Sequence, residues 1–433
     1  MKRFAFTFLS RIYGALATFL VNVFIAQQLT TDDAGAFFFA LTILFGGALA
    51  TRFGIDNLLL KEVSVKSDNN EEITSDISSG LFLSLLLGLL VCLIIYVGTI
   101  GSAKFELLEV RTITSIQILA IVVIPYASIW IFSGIYKGFK RPVLANIIEA
   151  GVLPSIFLIT ANLVVFYTGS ISLEQSLFCL ILAILSAFTI NASLLKKRAL
   201  LNISKIQRVV IDGYFKKGKP LAIAALSDYF VMWASLIILG FYASSTDISY
   251  YSVAQRMAIL ISFVLIVVNS IYAPKYAVLW SKGDIKGLNE NARYSATFMM
   301  IIALPAFLLC LFFPQQLLLI FGTDYQQADS LLMILAFAQF INVFTGSNGY
   351  ILMMTGHEKE FRNIVLFSAL ITIILSFLLI SFYGAIGAAF ATLAGVLVKN
   401  GGGTWLVFKN VGVLSVPYFT VTPIKLFIKN LKQ

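Results

Sequence analysis

Apolar runs of about 20 residues recur along this chain from end to end, and they constrain its fold more than any motif does. A bilayer's hydrocarbon core is crossed by about 20 apolar helical residues. Every backbone polar group inside it must be bonded internally, so such runs become helices. Candidate spans are read at residues 4–29, 35–58, 79–100, 113–135, 143–167, 173–195, 218–242, 249–273, 294–314, 328–354, 362–382 and 385–407. A water-soluble surface is excluded, because 59% of the residues are apolar and only 12% are charged, about half the usual charged share. The expected fold class is an all-α integral membrane protein of about 12 transmembrane helices. Lys2 and Arg3 ahead of an apolar stretch, with Ala15-Leu16-Ala17 behind it, imitate a cleaved secretion signal. Arg11 interrupts that core and the run continues to Leu29, so it is read as a retained first span.

The net charge of +10 does not point to nucleic acid, because the 31 Lys and Arg lie in short clusters between apolar runs rather than on one patch. With the N-terminus in the cytoplasm, nearly all of them fall on that side. They include Lys137, Lys140 and Arg141, the series from Lys196 to Lys219, Lys359, Arg362, and Lys409, Lys425, Lys429 and Lys432. The opposite loops carry Lys104 and Arg111, and there Asp32, Asp33, Glu174, Asp247 and Asp324 have no basic neighbours in sequence. Both termini are therefore expected in the cytoplasm. The longest basic segment divides the spans six and six: a six-helix bundle over 1–195, a cytoplasmic linker over 196–217, a second bundle over 218–408 and an interfacial tail over 409–433. Halves with an even number of helices share one orientation, so the two would be parallel-related about an axis along the membrane normal.

Cys92, Cys179 and Cys310 sit in apolar runs without CxxC spacing, and His357 is the single histidine. Neither a disulfide framework, a metal site, a cofactor nor a histidine relay is expected, and the chain is read as a non-enzyme. Function is sought instead in polar residues that the bilayer penalises, since a charged side chain at mid-span costs about 2.5–3.5 kcal/mol on insertion scales. Arg11, Arg52 and Arg256 are the candidates for a cationic path. A guanidinium stays charged in a dry site and grips phosphate oxygens through two parallel N–H bonds, so the implied cargo is an anion. The structural alternatives are that Arg11 reaches back to the interface and that Arg52 marks the end of its span. Lys399, followed by Asn400 and Gly401-Gly402-Gly403, reads as a helix end, the alternative being a helix broken around a cavity, and it is left out of the core site. Asp228 and Glu149 are candidates for coupling transport to a proton or sodium gradient. The alternative for Asp228 is a structural partner of an arginine such as Arg256. Pro125, Pro154 and Pro305 suggest kinks, and Asn22, Asn57, Gln255 and Asn269 suggest buried interhelical hydrogen bonds or a polar lining.

Ordered motifs carry a family resemblance. Ser10-Arg11-Ile12-Tyr13-Gly14 opens the first span, Asp33-Ala34-Gly35-Ala36-Phe37 turns into the second, and Arg52-Phe53-Gly54 closes it. Gly138-Phe139-Lys140-Arg141-Pro142, the run Tyr250 to Arg256, and Pro274 with Gly283-Asp284 follow. Together they resemble the polysaccharide-transporter branch of the multidrug/oligosaccharidyl-lipid/polysaccharide (MOP) superfamily, in particular the Wzx-type O-antigen flippases. The resemblance implies two six-helix bundles around a central cationic cavity, working by alternating access in the bacterial inner membrane. The implied substrate is an undecaprenyl-pyrophosphate-linked oligosaccharide, with membrane lipids, H+ or Na+ and other polysaccharide-assembly proteins as further partners. In the related lipid II flippase, essential arginines occupy spans one, two and eight, which Arg11, Arg52 and Arg256 match. The alternatives are a multidrug exporter of the same superfamily, whose cationic cargo favours an acidic cavity, and an O-antigen polymerase or ligase, which requires a large outer loop absent here.

Overall fold

A computed structural model describes residues 2–69, 71–197 and 200–418, and every regular element in them is helical. Arg198 and the tail lysines Lys425, Lys429 and Lys432 lie outside the described residues, as does most of the expected interfacial tail. In chain order the longer helices are α1 (Lys2–Gln28), α2 (Thr31–Arg52), α3 (Ile55–Asp68), α4 (Thr74–Lys104), α5 (Val110–Ala120), α6 (Val123–Gly138), α7 (Pro142–Asn146), α8 (Val152–Thr168) and α9 (Leu173–Lys197). They continue with α10 (Arg208–Leu239), α11 (Ser245–Ser281), α12 (Ile285–Phe312), α13 (Pro314–Leu318), α14 (Asp329–Phe344), α15 (Asn348–Met354) and α16 (Glu358–Val411). Among the described residues ten helical segments are long and apolar enough to cross a membrane, or eleven if the bent pair α5 and α6 is one span.

Three departures from regular helices have local causes. The α5–α6 pair bends by 50° at Ile121 and Val122. Pro125 lies four residues after Ile121, lacks an N–H for its carbonyl and crowds it. A π-turn over Ile147–Gly151 precedes Pro154, which likewise offers no N–H to the Ala150 carbonyl. The 54-residue α16 contains Gly384 at φ 56°, ψ −134°, a backbone region essentially confined to glycine. Beyond it the chain folds back on itself: a Cβ at Gly395 would strike the Thr372 hydroxyl and one at Gly402 the Ile364 side chain. The expected spans over 362–382 and 385–407 are the two arms of this hairpin. The Gly401-Gly402-Gly403 run, read from sequence as a helix end, lies inside the second arm. Its glycines allow Ile364 and Asn348 to pack closely instead of breaking the helix.

The chain forms two compact units, residues 1–226 with 244–249 and residues 227–243 with 250–433. In the first, the motif opening α1 is a packing device. Ser10, Tyr13 and Gly14 share one helix face. Tyr13 hydrogen-bonds Ser155 at 2.6 Å, Asn146 donates to Ser10 at 3.1 Å, and Gly14 lies against Ala150. The Arg52-Phe53-Gly54 motif is a kink between α2 and α3, with Phe53 at φ 48° and Gly54 at φ 77°. Phe53 stacks on Phe215 at 5.3 Å.

At one end of this unit Arg111 lies 3.7 Å from Asp32, 3.4 Å from Asp33 and 3.3 Å from Glu109, so these aspartates do have a basic partner, brought by α5. At the other, the basic linker is held rather than loose. The Asn202 and Gln207 amides donate to Ser78 and Ser79, and Lys205 pairs with Glu72 at 3.0 Å. Lys66 donates to the buried Asp76 at 2.7 Å, which raises its pKa above the ordinary lysine value.

The second unit has a buried apolar cluster of Val231, Ala338, Val365, Ala369 and Val396. Above it runs a hydroxyl chain from Tyr251 through Thr392 and Ser235 to Ser376, each link 2.8–2.9 Å. These bonds tie α10, α11 and both arms of α16 together, which costs little inside a bilayer only because each hydroxyl has a partner.

Candidate functional site

In the first unit α6 organises the charged groups. Trp130, Ser133 and Lys137 recur at spacings of three and four and therefore share one face of the helix. Above Trp130 lies the Arg52 guanidinium, 4.6 Å from the ring centroid, and Arg52 also donates to Asp56 at 3.1 Å. Arg52 is the last residue of α2, yet its side chain is only 19% exposed, with Asp56 beside it one turn on. Glu149, in the π-turn, accepts bonds from Ser133 and Lys137, and its side chain is 13% exposed. The π-turn widens the helix where it carries this carboxylate, a combination common at functional sites. Arg11 is half-buried on a flank of the Ser10–Tyr13–Gly14 face that packs against residues 146–155.

In the second unit the corresponding organiser is the stretch of α10 from Asp228 to Trp233. Arg256 on α11 is buried, donates to the Ser252 carbonyl at 3.1 Å and lies 5.6 Å from the Trp233 ring. Trp233 stacks on Tyr229 at 6.3 Å, and the neighbouring Gln255 donates to the Met232 carbonyl while its own carbonyl oxygen is buried without a partner. Asp228 accepts from Lys399 at 2.7 Å. Lys399 is thus an ionic partner of Asp228 from α16.

Of the polar residues read as linings or interhelical bonds, Asn22 donates to the Thr18 carbonyl and Asn269 accepts from Ser347, both buried. The sequence reading missed Asp56, Trp130, Trp233 and Lys137 as companions of the candidate residues, and set Lys399 aside. A signal for the tryptophans was present: Trp is enriched at membrane interfaces, and these two stand well inside apolar runs. The i, i+4 spacing of Arg52 and Asp56 was a second. Among the described residues no group of three or more His, Cys, Asp or Glu could hold a metal ion.

Two family models match the chain, one described as polysaccharide biosynthesis protein over residues 1–274 and one as MatE over residues 220–396. A probable low-salt glycan biosynthesis flippase of Haloferax volcanii is 24% identical, over 91% of this chain and 80% of its own length. A putative O-antigen transporter of Escherichia coli K12 is 22% identical, over 88% of this chain and 89% of its own. Among solved structures, an inward-facing multidrug resistance MATE family transporter of the MOP superfamily superposes with a TM-score of 0.74 at 13% identity, covering 92% of this chain and 94% of that one. The lipid II flippase MurJ in an inward closed conformation does so with a TM-score of 0.67 at 18% identity, covering 100% and 93%. At these identities the two structures establish the shared fold.

Proposed function

We propose, from the premise that this chain belongs to the polysaccharide biosynthesis protein family, that it carries undecaprenyl-pyrophosphate-linked oligosaccharide repeat units from the inner to the outer leaflet of a bacterial inner membrane. It is a multi-pass membrane transporter of the MOP superfamily rather than an enzyme, since its named relatives are flippases and transporters. The observation that carries the substrate reading is one guanidinium held against a tryptophan in each unit, Arg52 on Trp130 and Arg256 on Trp233. The ring quadrupole restricts where each guanidinium sits, and a guanidinium so placed presents the planar donor fork suited to phosphate oxygens. In this reading Arg11, Arg52 and Arg256 replace the hydration of the pyrophosphate while alternating access moves it. Asp228 and Glu149 are the coupling candidates, and each already holds an ammonium, from Lys399 and Lys137. An inside-negative potential favours outward transfer of negative charge by about 2.3 kcal/mol per charge per 100 mV, which supports the direction.

The test is outer-leaflet appearance of the lipid-linked repeat unit, or surface polysaccharide in a flippase-deleted host. Arg256→Ala and Arg52→Ala are expected to lower the rate at least tenfold while the protein still accumulates, because removing an intramembrane charge eases insertion. Full complementation by alanine variants of Arg11, Arg52 and Arg256 at normal protein levels overturns the reading. The second reading, export of lipophilic cations, is favoured by the MatE match over residues 220–396. Drug resistance conferred by the wild-type chain, without transfer of the lipid-linked sugar, would establish it instead.

A further inference from the structure

Lys399 stands in the interior of a helix arm that runs unbroken to Val411, so its amine is held inside the apolar stretch rather than at a helix end. Such an amine is costly in a membrane and persists where it serves a cavity or a partner. Its partner here is asymmetric. The Lys399 side chain is 13% exposed, whereas that of Asp228 is 55% exposed, and among the described residues only Oδ1 of the carboxylate accepts a bond. A fixed structural pair is expected to bury and saturate both members, since an ion pair in a dry interior is maintained by further hydrogen bonds to its remaining lone pairs. A carboxylate so open at mid-span faces water or cargo, because lipid would penalise it.

The same short stretch of α10 that carries Asp228 also holds Arg256 through Trp233. From residue 228 to residue 233 the helix rises about 7.5 Å. Two cations from two other elements, Lys399 of α16 and Arg256 of α11, thus meet the same part of α10. A diphosphate carries more negative charge than a carboxylate and has more acceptor oxygens, so it competes well for a half-open ammonium.

Resting on the pyrophosphate reading of this site, we propose that Lys399 is a substrate-binding residue and that Asp228 is its resting counterion, displaced when the pyrophosphate arrives. Asp228 holds the amine in place while the site is empty, and the arriving anion releases the carboxylate. The cation that Asp228 exchanges during transport is then the chain's own ammonium.

The experiment measures binding of undecaprenyl pyrophosphate to the purified full-length protein in lipid nanodiscs, with thermal midpoints taken in parallel. Asp228→Asn frees the ammonium and is expected to lower Kd about tenfold, the size of one charge-assisted hydrogen bond. Lys399→Gln should raise Kd by a similar factor, Lys399→Arg should retain most of the affinity, and the Asp228→Asn/Lys399→Gln double variant should bind as weakly as Lys399→Gln alone. A tighter Kd on removal of the carboxylate is a result that a merely structural pair cannot produce. If Asp228→Asn binds more weakly or as wild type, the counterion role is overturned. If Lys399 variants bind as wild type while Arg256→Ala loses affinity, Lys399 is excluded and the pyrophosphate reading stands. If neither Lys399→Gln nor Arg256→Ala affects binding, both fall. Should Lys399→Gln not accumulate, Asp228→Asn in the Lys399→Arg background carries the same test: tighter binding is expected, and weaker binding overturns the exchange.

Discussion

Trp130 and Trp233 do at the residue scale what the arginines cannot do alone. A guanidinium on a long flexible stem loses rotamer freedom when it is positioned, and an indole face limits where it can go. Trp130→Leu and Trp233→Leu keep a smaller apolar side chain at each position and remove the cation–ring contact, worth about 1–2 kcal/mol when it is desolvated. Each variant is expected to accumulate normally and to transport roughly tenfold more slowly, read as the rate of surface polysaccharide recovery after induction. A rate equal to wild type in both would detach the tryptophans from the site. The Lys137–Glu149 pair gives a separate expectation about stability. Lys137→Met strands a mostly buried carboxylate and should cost roughly 1–3 kcal/mol, below the figure for a fully buried pair because the lysine keeps part of its hydration. Lys137→Met/Glu149→Gln should recover most of that loss in a thermal scan in detergent. If the double variant is no more stable than the single one, the pair is not what holds the π-turn to α6.

At the scale of elements, the hairpin within α16 depends on two glycines for different reasons. Gly384 supplies a backbone conformation that an L side chain enters only with about 1–3 kcal/mol of strain. Gly395 supplies space, because any Cβ there meets the Thr372 hydroxyl. Gly384→Ala and Gly395→Val are therefore both expected to lower the thermal midpoint. Gly395→Val should be relieved in part by Thr372→Ala, which removes the clashing oxygen, and Gly384→Ala should not be. Equal rescue of both by Thr372→Ala would show that the turn and the packing are not separable. The basic linker is a second element whose part was not evident from its charge. Serines at the start of α4 receive its backbone amides, so it is a docked segment rather than a tether.

For the molecule as a whole, the charge distribution predicts which loops face each side of the membrane, and that prediction is testable independently of any transport assay. In a background with Cys92, Cys179 and Cys310 replaced by alanine, single cysteines at Glu174 and Asp324 should react with an impermeant thiol reagent added to intact cells. One at Lys282 should react only after permeabilisation. Labelling of Lys282→Cys in intact cells would reverse the topology and with it the proposed direction of transport. Arg111 is the exception that sharpens the rule. It is one of two basic residues assigned to the outer side, and it is engaged with Asp32, Asp33 and Glu109 rather than left as a topogenic charge.

The amino-acid sequence by itself determined that this chain is a helical membrane protein, where most of its spans lie, and which charged residues are costly enough to need a reason. Each of those follows from local quantities: the apolar length of a run, the need to close backbone hydrogen bonds within it, and the penalty on a charge inside it. What only the tertiary structure decided is which charge meets which. Lys399 and Asp228 stand 171 residues apart, and Arg256 and Trp233 are on different helices. Nothing in either neighbourhood encodes the meeting, because helix packing rather than helix formation sets it. The same holds for the reversal at Gly384: a single glycine between two apolar runs is compatible with a continuous helix or a turn. The close seating of Gly395 and Gly402 against the opposite arm selects the turn.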